Sequence, residues 1–544
     1  MKSSGFASKL LLALAAICVV TLGSVLSASA DDKPFAFTQS GFVIGTTTNG
    51  VNEFLGIPYA APPVGALRWL PPERYGFFPG FFLKATTFGS QCTQGGGGSE
   101  NCLFLNVYTP QFGFGGGRRV RAEDRGPGGG FPRGLPVMFW IHGGGLTGGA
   151  GSDYDPSELV KKGVIVVTIN YRLGLLGFYA QSALDSEGHE AGNYGFMDQQ
   201  FALNWVRRNI AGFGGDPNQV TIFGESAGGQ SVYSQLASPT AAHLFRGAIA
   251  ESGSYVEFQD YFDDIVTLPI AETTGTPLVP AGNSIATSVG CASETALCLR
   301  AVPATTFVGV EPGVLYPFVD GTLLTQTPGQ AFASGEFNQV PVISGTNHDE
   351  YRIFVADEYD LGSALATLAE YDAAELALWG PTLAPIVDSL YPDSPANDVD
   401  GPEALGASGT DGIFACPARN ADQLLSQFVT TYTYEFNDEN APPAQSSVPG
   451  LTFPLGAYHS AELQYLFVLG GVPAPFTPAQ QQLSAAMVTY WTQFAKNLNP
   501  NSPTEPVWSP YSTSTDEFQS LIPPTPMVES TFAAEHLCEF WDAF

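Results

Sequence analysis

Continuous apolar runs alternate with amphipathic stretches through most of the chain. The runs 137–141 (VMFWI) and 164–169 (VIVVTI) are rich in β-branched residues, which is typical of strands buried on both faces of a parallel sheet. Further strands are predicted over 219–223, 247–252, 340–345 and 430–436, and helices over 198–213 (ending near Gly212), 227–238 and 485–497. This alternation predicts an α/β fold with a central, mostly parallel, twisted sheet flanked by helices.

The first 30 residues have the layout of a secretory signal. Two lysines precede the apolar run 10–26, and the small residues Ala28 and Ala30 stand where cleavage is expected. We therefore expect a mature chain that begins at Asp31, outside the cell or in a periplasm, with no stable membrane insertion. Because the run is about as long as the shortest membrane-spanning helix, an uncleaved anchor is the alternative.

Residues 31–544 are predicted to form a single domain, since no repeat or linker divides them. The segment 111–134 is rich in glycine and carries five of the chain's 21 basic residues. It is interpreted as an inserted surface loop, with a basic patch for an acidic partner as the alternative. The net charge of −31 disfavours nucleic acid as a partner because both would be negative. Nothing in the sequence indicates an oligomeric state.

Six cysteines lie outside the signal, which is the number expected of a disulfide-bonded protein in an oxidising compartment. Six cysteines allow 15 pairings. The simplest loop closures are Cys92 with Cys102 and Cys291 with Cys298, which leave Cys416 with Cys538. No C-x-x-C motif or Cys/His cluster suggests zinc, so neither a metal nor a cofactor is expected.

The stretch GESAGG places Ser226 between Gly224 and Gly228. A predicted strand precedes the serine and a predicted helix follows it, which is the context of a nucleophilic serine on a tight strand-to-helix turn. In a chain with 62 glycines the pattern alone is weak evidence, and a structural turn serine is the alternative.

A serine nucleophile needs a histidine base and an acid that orients the histidine. In this fold both follow the serine along the chain, the acid first and the histidine second. His459 lies in a glycine-flanked stretch (GAYHSAEL) suited to a loop over the sheet. His348 is the rival base, but it follows a predicted strand and directly precedes Asp349 and Glu350, either of which would serve as the acid.

A site for acyl transfer also needs donors for a developing oxyanion. The glycine run 143–145 leaves the strand 137–141, and its backbone N–H groups could act together with that of Ala227. A phosphate-binding loop is the weaker interpretation, because no Lys-Ser/Thr pair follows the glycines.

These motifs resemble the type-B carboxylesterase/cholinesterase family of α/β hydrolases, over most of the chain from about Phe42 to beyond His459. The similar stretches are FLGIPYAAPPVGALRW (54–69), SENCLFLNVYTP (99–110), INYRLGLLGF (169–178) and the long match GNYGFMDQQ to GESAGG (192–229). The resemblance implies an α/β-hydrolase fold and hydrolysis of small-molecule carboxylic esters by a serine mechanism.

Residue by residue, the resemblance implies that Ser226 is the nucleophile, His459 the base and Glu350, ahead of Asp349, the acid. It assigns the oxyanion donors to Gly144, Gly145 and Ala227, a supporting serine near the triad to Ser252, a buried ion pair to Arg68 and Glu100, and the same three disulfides as the cysteine spacing.

Two departures from the family pattern bear on the substrate. The loop between Cys92 and Cys102 is short and holds no tryptophan, which argues against choline esters. Leu146 stands where many members have an aromatic residue.

Taken together, the motifs and the signal-like N-terminus lead us to expect a secreted serine carboxylesterase. The alternatives are a lipase-like esterase acting on longer acyl chains and a non-catalytic adhesion or binding protein of the same fold.

Overall fold

The computed structural model describes residues 33–111, 134–189, 192–254, 284–293, 295–310, 316–358, 368–392, 401–443, 451 and 453–543. The expected signal sequence 1–30 and all but the ends of the expected insertion 111–134 lie outside these residues.

The described strands are β1 (Phe35–Thr38), β2 (Gly41–Ile44), β3 (Thr46–Thr48), β4 (Val51–Pro58), β5 (Phe82–Lys84), β6 (Phe104–Pro110), β7 (Leu135–Ile141), β8 (Tyr154–Asp155), β9 (Ile165–Ile169), β10 (Gly215–Glu225), β11 (Gly247–Glu251), β12 (Val342–Asn347), β13 (Thr431–Phe436), β14 (Val468–Leu469), β15 (Phe518–Leu521) and β16 (Met527–Glu529).

The described α-helices are α1 (Ser157–Lys161), α2 (Gly174–Gly177), α3 (Ser182–Asp185), α4 (Tyr194–Asn209), α5 (Ala227–Ala237), α6 (Ala296–Ala301), α7 (Pro328–Ser334), α8 (Arg352–Glu358), α9 (Leu368–Leu390), α10 (Gly401–Gly409), α11 (Cys416–Leu425), α12 (Pro478–Asn497), α13 (Phe532–Glu535) and α14 (Cys538–Trp541). Short 3₁₀ turns lie at Gly65–Leu67, Pro79–Phe81, Ile210–Phe213, Pro239–Ala241, Ala304–Thr306 and Ala461–Tyr465, and a π-helical turn lies at Thr410–Ala415.

The main sheet has eleven strands in the order β16-β15-β13-β12-β11-β10-β7-β9-β6-β4-β3. Neighbours are parallel from β9 to β15, and the pairings at both ends of the sheet are antiparallel. The predicted α/β class is confirmed. Two small sheets, β1-β2-β5 and β14-β8, complete the described strands.

The six strands predicted from apolar runs form the centre of this sheet, as β7, β9, β10, β11, β12 and β13. Alternate side chains of these strands enter two separate cores. Val137 and Phe139 of β7 pack in one, whereas Met138 and Trp140 pack in the other. Because successive side chains of a strand point to opposite faces, the two cores lie on the two faces of the sheet.

The helix predicted over 198–213 differs from the observed one at both ends. The observed helix, α4, runs from Tyr194 to Asn209, and a 3₁₀ turn follows it. Gly214 ends that turn in the left-handed conformation, with φ 88°. The prediction that the helix ends near Gly212 is therefore wrong. A Cβ at Gly212 would lie 2.1 Å from the carbonyl oxygen of Phe37, so close packing against β1 requires that glycine.

The three predicted disulfides are present: Cys92–Cys102, Cys291–Cys298 and Cys416–Cys538. The implied ion pair is present too, with Arg68 donating from Nε and Nη2 to the two carboxylate oxygens of Glu100 at 2.6 and 2.7 Å. Among the described residues, no helix is both long enough and apolar enough to span a membrane.

A second ion pair lies deeper in the structure. Arg172, which follows β9, donates from Nε and Nη2 to Asp198 of α4 at 2.7 and 2.9 Å, and both side chains are almost fully buried. Such a bidentate pair is stable only while both partners are present, because either charge alone would remain buried without compensation.

We predict that Arg172→Met lowers the free energy of unfolding by about 3–5 kcal/mol, since it leaves the Asp198 carboxylate buried without its cation. The matched control is Lys161→Met, which breaks the exposed pair with Glu158 and should cost less than about 1 kcal/mol. Urea unfolding of the two variants measures the difference, and equal losses would contradict this account.

Candidate active site

Ser226 occupies the turn between β10 and α5. Its backbone has φ 55° and ψ −126°, a conformation that is costly for a residue with a side chain. The serine is partly exposed, whereas Glu225 and Ala227 on either side of it are buried. The turn thus presents one hydroxyl group above an otherwise buried strand end.

The glycines of GESAGG are required by close packing. A Cβ at Gly228 would lie 2.0 Å from the carbonyl oxygen of Ile141 on β7. A Cβ at Gly224 would lie 2.6 Å from that same oxygen, and one at Gly229 would lie 2.5 Å from the carbonyl oxygen of Glu251. The helix start therefore rests directly on neighbouring strand ends, with no space for side chains.

His459 is bound to Glu350. The Nδ1 atom of His459 lies 2.6 Å from Oε2 of Glu350, and both side chains are buried. The other carboxylate oxygen of Glu350 accepts hydrogen bonds from the hydroxyl of Thr346 and the backbone N–H of Asn347, each at 2.8 Å. These two donors at the end of β12 hold the carboxylate in place against the imidazole.

Asp349, the competing acid, faces elsewhere. Its carboxylate accepts a hydrogen bond from the backbone N–H of Ala457 at 2.8 Å and pairs with Arg352 at 2.9 Å. The rival histidine, His348, has its Nδ1 atom 3.3 Å from Asp349 and its ring 5.3 Å from the ring of His536. The geometry thus separates Asp349 and His348 from the pair formed by Glu350 and His459.

The Nε2 atom of His459 contacts the side chain of the residue that ends β10. It lies 3.2 Å from Oε1 of Glu225, the residue directly before the serine. The imidazole ring is flanked by Phe354 and Phe414, with centroid distances of 5.0 and 5.1 Å. The structure therefore joins His459 directly to Glu350, and it brings the far side of the ring to the residue next to Ser226.

The glycine loop after β7 lies beside the serine. A Cβ at Gly143 would be 3.0 Å from the Cβ of Ser226. Gly144 and Gly145 have φ values of 98° and 61°, a region that favours glycine. The carbonyl oxygen of Gly144 accepts hydrogen bonds from the backbone N–H groups of Thr147 and Gly148, which fixes the turn of the loop.

Ala227 is the first residue of α5, so its N–H group lies at the positive end of that helix. The start of α5 thus follows Ser226 directly, and the glycine loop lies beside its side chain. Backbone N–H groups in such a position are suited to stabilising an oxygen on which negative charge develops.

Sequence reasoning missed three buried acids that surround this site. Burial and, to a lesser extent, the charge of Glu350 raise the pKa of Glu225 to about 7. Burial raises the pKa of Glu251 to about 8, although Trp491 donates a hydrogen bond to it at 2.9 Å. Burial also raises the pKa of Glu462, which accepts a hydrogen bond from the side chain of Asn347.

The available signal for these acids was their placement within motifs, in GESAGG for Glu225, in AESGS for Glu251 and in YHSAEL for Glu462. Acidic side chains are rarely fully buried, so a sequence argument assigns them to the surface by default.

The surroundings of His459 favour its charged form. Burial alone would lower the pKa of the imidazole, but the carboxylates of Glu225 and Glu350 outweigh that effect and raise the pKa above its ordinary value. A cationic imidazole between two carboxylates is therefore stabilised in this otherwise dry site.

Ser252 and Leu146 occupy supporting positions. Ser252 follows β11, is fully buried, has φ 49° and donates its backbone N–H to the carbonyl oxygen of Gly345 at 2.8 Å. Leu146 is buried after the glycine loop, and its carbonyl oxygen accepts a hydrogen bond from the N–H of Gly174 at 2.7 Å. Both residues thus link elements that border the site.

Comparisons with known proteins agree with one another. A family model described as "Carboxylesterase family" matches residues 32–541. The chain is 32% identical to cocaine esterase of Homo sapiens, over 94% of this chain and 91% of that protein. It is 34% identical to para-nitrobenzyl esterase of Bacillus subtilis (strain 168), over 88% and 93%.

A solved structure named PNB esterase superposes with a TM-score of 0.72 at 31% identity and covers 92% of this chain and 98% of that one. This similarity confirms the expected α/β-hydrolase fold.

We predict that Gly228→Ala destabilises the protein by about 1–3 kcal/mol, because the added methyl group would overlap a backbone carbonyl that cannot move aside. Gly76→Ala is the control, since Gly76 is exposed with open space around it, and its effect should stay within about 0.5 kcal/mol. Thermal or urea unfolding tests this, and an unchanged stability of Gly228→Ala would refute the packing argument.

Proposed function

The chain belongs to the carboxylesterase family and is a carboxylic ester hydrolase, and from that premise we propose that Ser226 is the nucleophile of a secreted serine esterase. The observation that carries this proposal is the buried pair of His459 and Glu350, whose 2.6 Å contact leaves Nε2 beside Glu225, the residue directly before Ser226. An imidazole oriented by a carboxylate beside a serine on a strained turn is the arrangement that activates a hydroxyl group.

In the first step, Nε2 of His459 takes the proton of the Ser226 hydroxyl as its oxygen attacks the ester carbonyl carbon. Glu350 holds the Nδ1–H of the ring, so the lone pair of Nε2 is available and the imidazolium that forms is stabilised. Because Nε2 lies 3.2 Å from Glu225, we propose that it turns toward the serine when substrate binds, as catalytic hydrogen bonds often tighten in the complex.

The tetrahedral intermediate places negative charge on the former carbonyl oxygen, which the N–H groups of Gly144, Gly145 and Ala227 would stabilise. As the intermediate collapses, the bond to the alcohol oxygen breaks and His459 returns its proton to that oxygen. An acyl group then remains on Ser226. Water, deprotonated by the same imidazole, attacks the acyl carbon. The bond to the Ser226 oxygen then breaks, and His459 returns the proton to that oxygen, which releases the acid and restores the serine.

The proposed substrates are small-molecule esters. Two of the similar proteins are named for cocaine and for para-nitrobenzyl esters, and others are named for acylcarnitine, which supports testing both aromatic and aliphatic esters. A lipase-like preference for long acyl chains is the alternative substrate class, whereas membership of the carboxylesterase family argues against the non-catalytic binding role. Secretion as a single domain from Asp31 onward is supported by the signal-like N-terminus and the three disulfides.

We predict that Ser226→Ala reduces kcat for p-nitrophenyl esters by at least about 10⁴-fold, because the variant lacks the nucleophile. Assays with acyl chains from acetate to palmitate measure this and also distinguish an esterase from a lipase by chain-length preference. Turnover that survives in Ser226→Ala would eliminate the proposed mechanism.

Two adjacent acids provide a further test of the triad. Glu350→Gln should reduce kcat by about 10³–10⁴-fold, because a neutral amide no longer stabilises the imidazolium. Asp349→Asn should reduce it less than about tenfold, since Asp349 contacts Arg352 and Ala457 instead of His459. If Asp349→Asn proved the more damaging variant, the assignment of Glu350 would be wrong.

The activity should fall at acidic pH, because His459 acts as a base only when neutral and its pKa is raised. Glu225→Gln removes one of the two carboxylates that favour the imidazolium, so the pKa should fall and the acidic limb of the kcat/KM profile should move to lower pH. Glu158→Gln, at an exposed site, is the control, and it should leave the acidic limb of the profile unchanged. A limb that stays in place or moves to higher pH contradicts the proposal.

A further inference from the structure

A second group of titratable side chains lies near the carboxyl ends of β12 and β13. It consists of His348 directly after β12, Glu435 within β13 and His536 between α13 and α14. One nitrogen or oxygen atom from each of these three residues lies within 4.8 Å of the other two. We call these residues the His348–Glu435–His536 cluster.

His536 is oriented by a carboxylate, and His348 lies beside one. The Nδ1 atom of His536 lies 2.5 Å from Oδ1 of Asp411, whose other oxygen accepts a hydrogen bond from the hydroxyl of Tyr391 at 2.7 Å. The Nδ1 atom of His348 lies 3.3 Å from Oδ1 of Asp349. Histidines that bind metals in proteins commonly have their second ring nitrogen held by a carboxylate, as Asp411 holds that of His536.

The opposite nitrogen of His536 already faces an acid. Its Nε2 atom lies 2.5 Å from Oε1 of Glu435, a side chain that is fully buried. The rings of His348 and His536 have centroids 5.3 Å apart. Two imidazoles and one carboxylate therefore each offer an atom within 4.8 Å of the other two.

We propose that the His348–Glu435–His536 cluster binds a divalent cation of the zinc class. Two imidazole nitrogens and one carboxylate oxygen form a donor set that suits Zn²⁺, with bond lengths of about 2.0–2.2 Å. Such an ion would separate its ligand atoms by roughly 3.3 Å. To reach this spacing, the 2.5 Å contact between His536 and Glu435 would lengthen. The longest separation in the cluster, which is at most 4.8 Å, would shorten through rotation of the side chains.

A second carboxylate lies beside the cluster. The side-chain amide of Asn437 donates to Oε2 of Glu435 at 2.8 Å and to Oε2 of Glu529 at 3.2 Å, so the two acids are neighbours. The side chains of Glu529 and Glu435 also share a hydrogen bond. A cation would offset this concentration of acidic groups, and Glu529 could serve as its fourth ligand.

The cluster is also accessible. The side chain of His348 is 32% exposed, whereas those of Glu435 and His536 are buried, so an ion could enter past His348. A bound ion would connect the C-terminal segment that carries His536 to the main sheet. This site is distinct from the proposed ester-hydrolysing site, because neither His459 nor Ser226 belongs to it.

Zinc binding by the full-length protein tests the proposal directly. After removal of metals with a chelator, Zn²⁺ would be titrated in competition with a chromogenic chelator, and the bound metal would be counted by elemental analysis. His348→Asn removes one ligand while leaving the buried contacts of His536 in place. His243→Asn is the matched control, because His243 is exposed and has φ 64°, which asparagine tolerates.

We expect the wild type and His243→Asn to bind about one Zn²⁺ and to gain in Tm, whereas His348→Asn should bind at least about tenfold more weakly and lose that gain. If the wild type binds no Zn²⁺, or if His348→Asn binds as the wild type does, the cluster is an internal ion-pair network and the proposal is wrong. Neither readout depends on ester hydrolysis, so the outcome is independent of the proposed function.

Discussion

The contact between the start of α5 and the carboxyl end of β7 constrains the whole candidate active site. Gly228 packs so closely on the carbonyl of Ile141 that no side chain fits between them. The chain must therefore reverse at Ser226 in a strained conformation, with φ 55°. The glycine loop that continues from Ile141 then lies beside the serine, and the helix N-terminus follows it directly. Parallel strands make this possible, because their carboxyl ends meet at one edge of the sheet.

Buried acids are the second organising feature. His459 lies between Glu350 on Nδ1 and Glu225 near Nε2, at 2.6 and 3.2 Å. His536 lies between Asp411 and Glu435, each at 2.5 Å. In both places a histidine compensates carboxylates that would be unstable alone in a dry interior. The two sites differ in what lies next to them, a strained serine turn in one and a second histidine and carboxylate in the other.

Much of the sheet could be predicted from the sequence. The apolar runs over 137–141 and 164–169 correspond to β7 and β9, because strands buried on both faces need continuous apolar residues whatever their neighbours. The strands β1 to β6 were missed, since β1, β2, β3 and β5 have only three or four residues and the longer β4 and β6 interrupt their apolar residues with polar ones. The predicted end of α4 was also wrong. Gly212 is required by its close packing against Phe37, which is distant in sequence, and it does not mark the end of the helix.

The sequence by itself determined the order of the central elements, the position of Ser226 on a strand-to-helix turn and the set of cysteines, because these depend on local pattern and composition. The family resemblance ranked Glu350 ahead of Asp349, but only the tertiary structure placed Glu350 against His459 and Asp349 against Arg352. It alone placed Glu225 against the imidazole. It also decided that His348, Glu435 and His536 meet. Which side chains come together depends on where separate loops lie over the sheet edge, and the packing of the whole chain sets that arrangement.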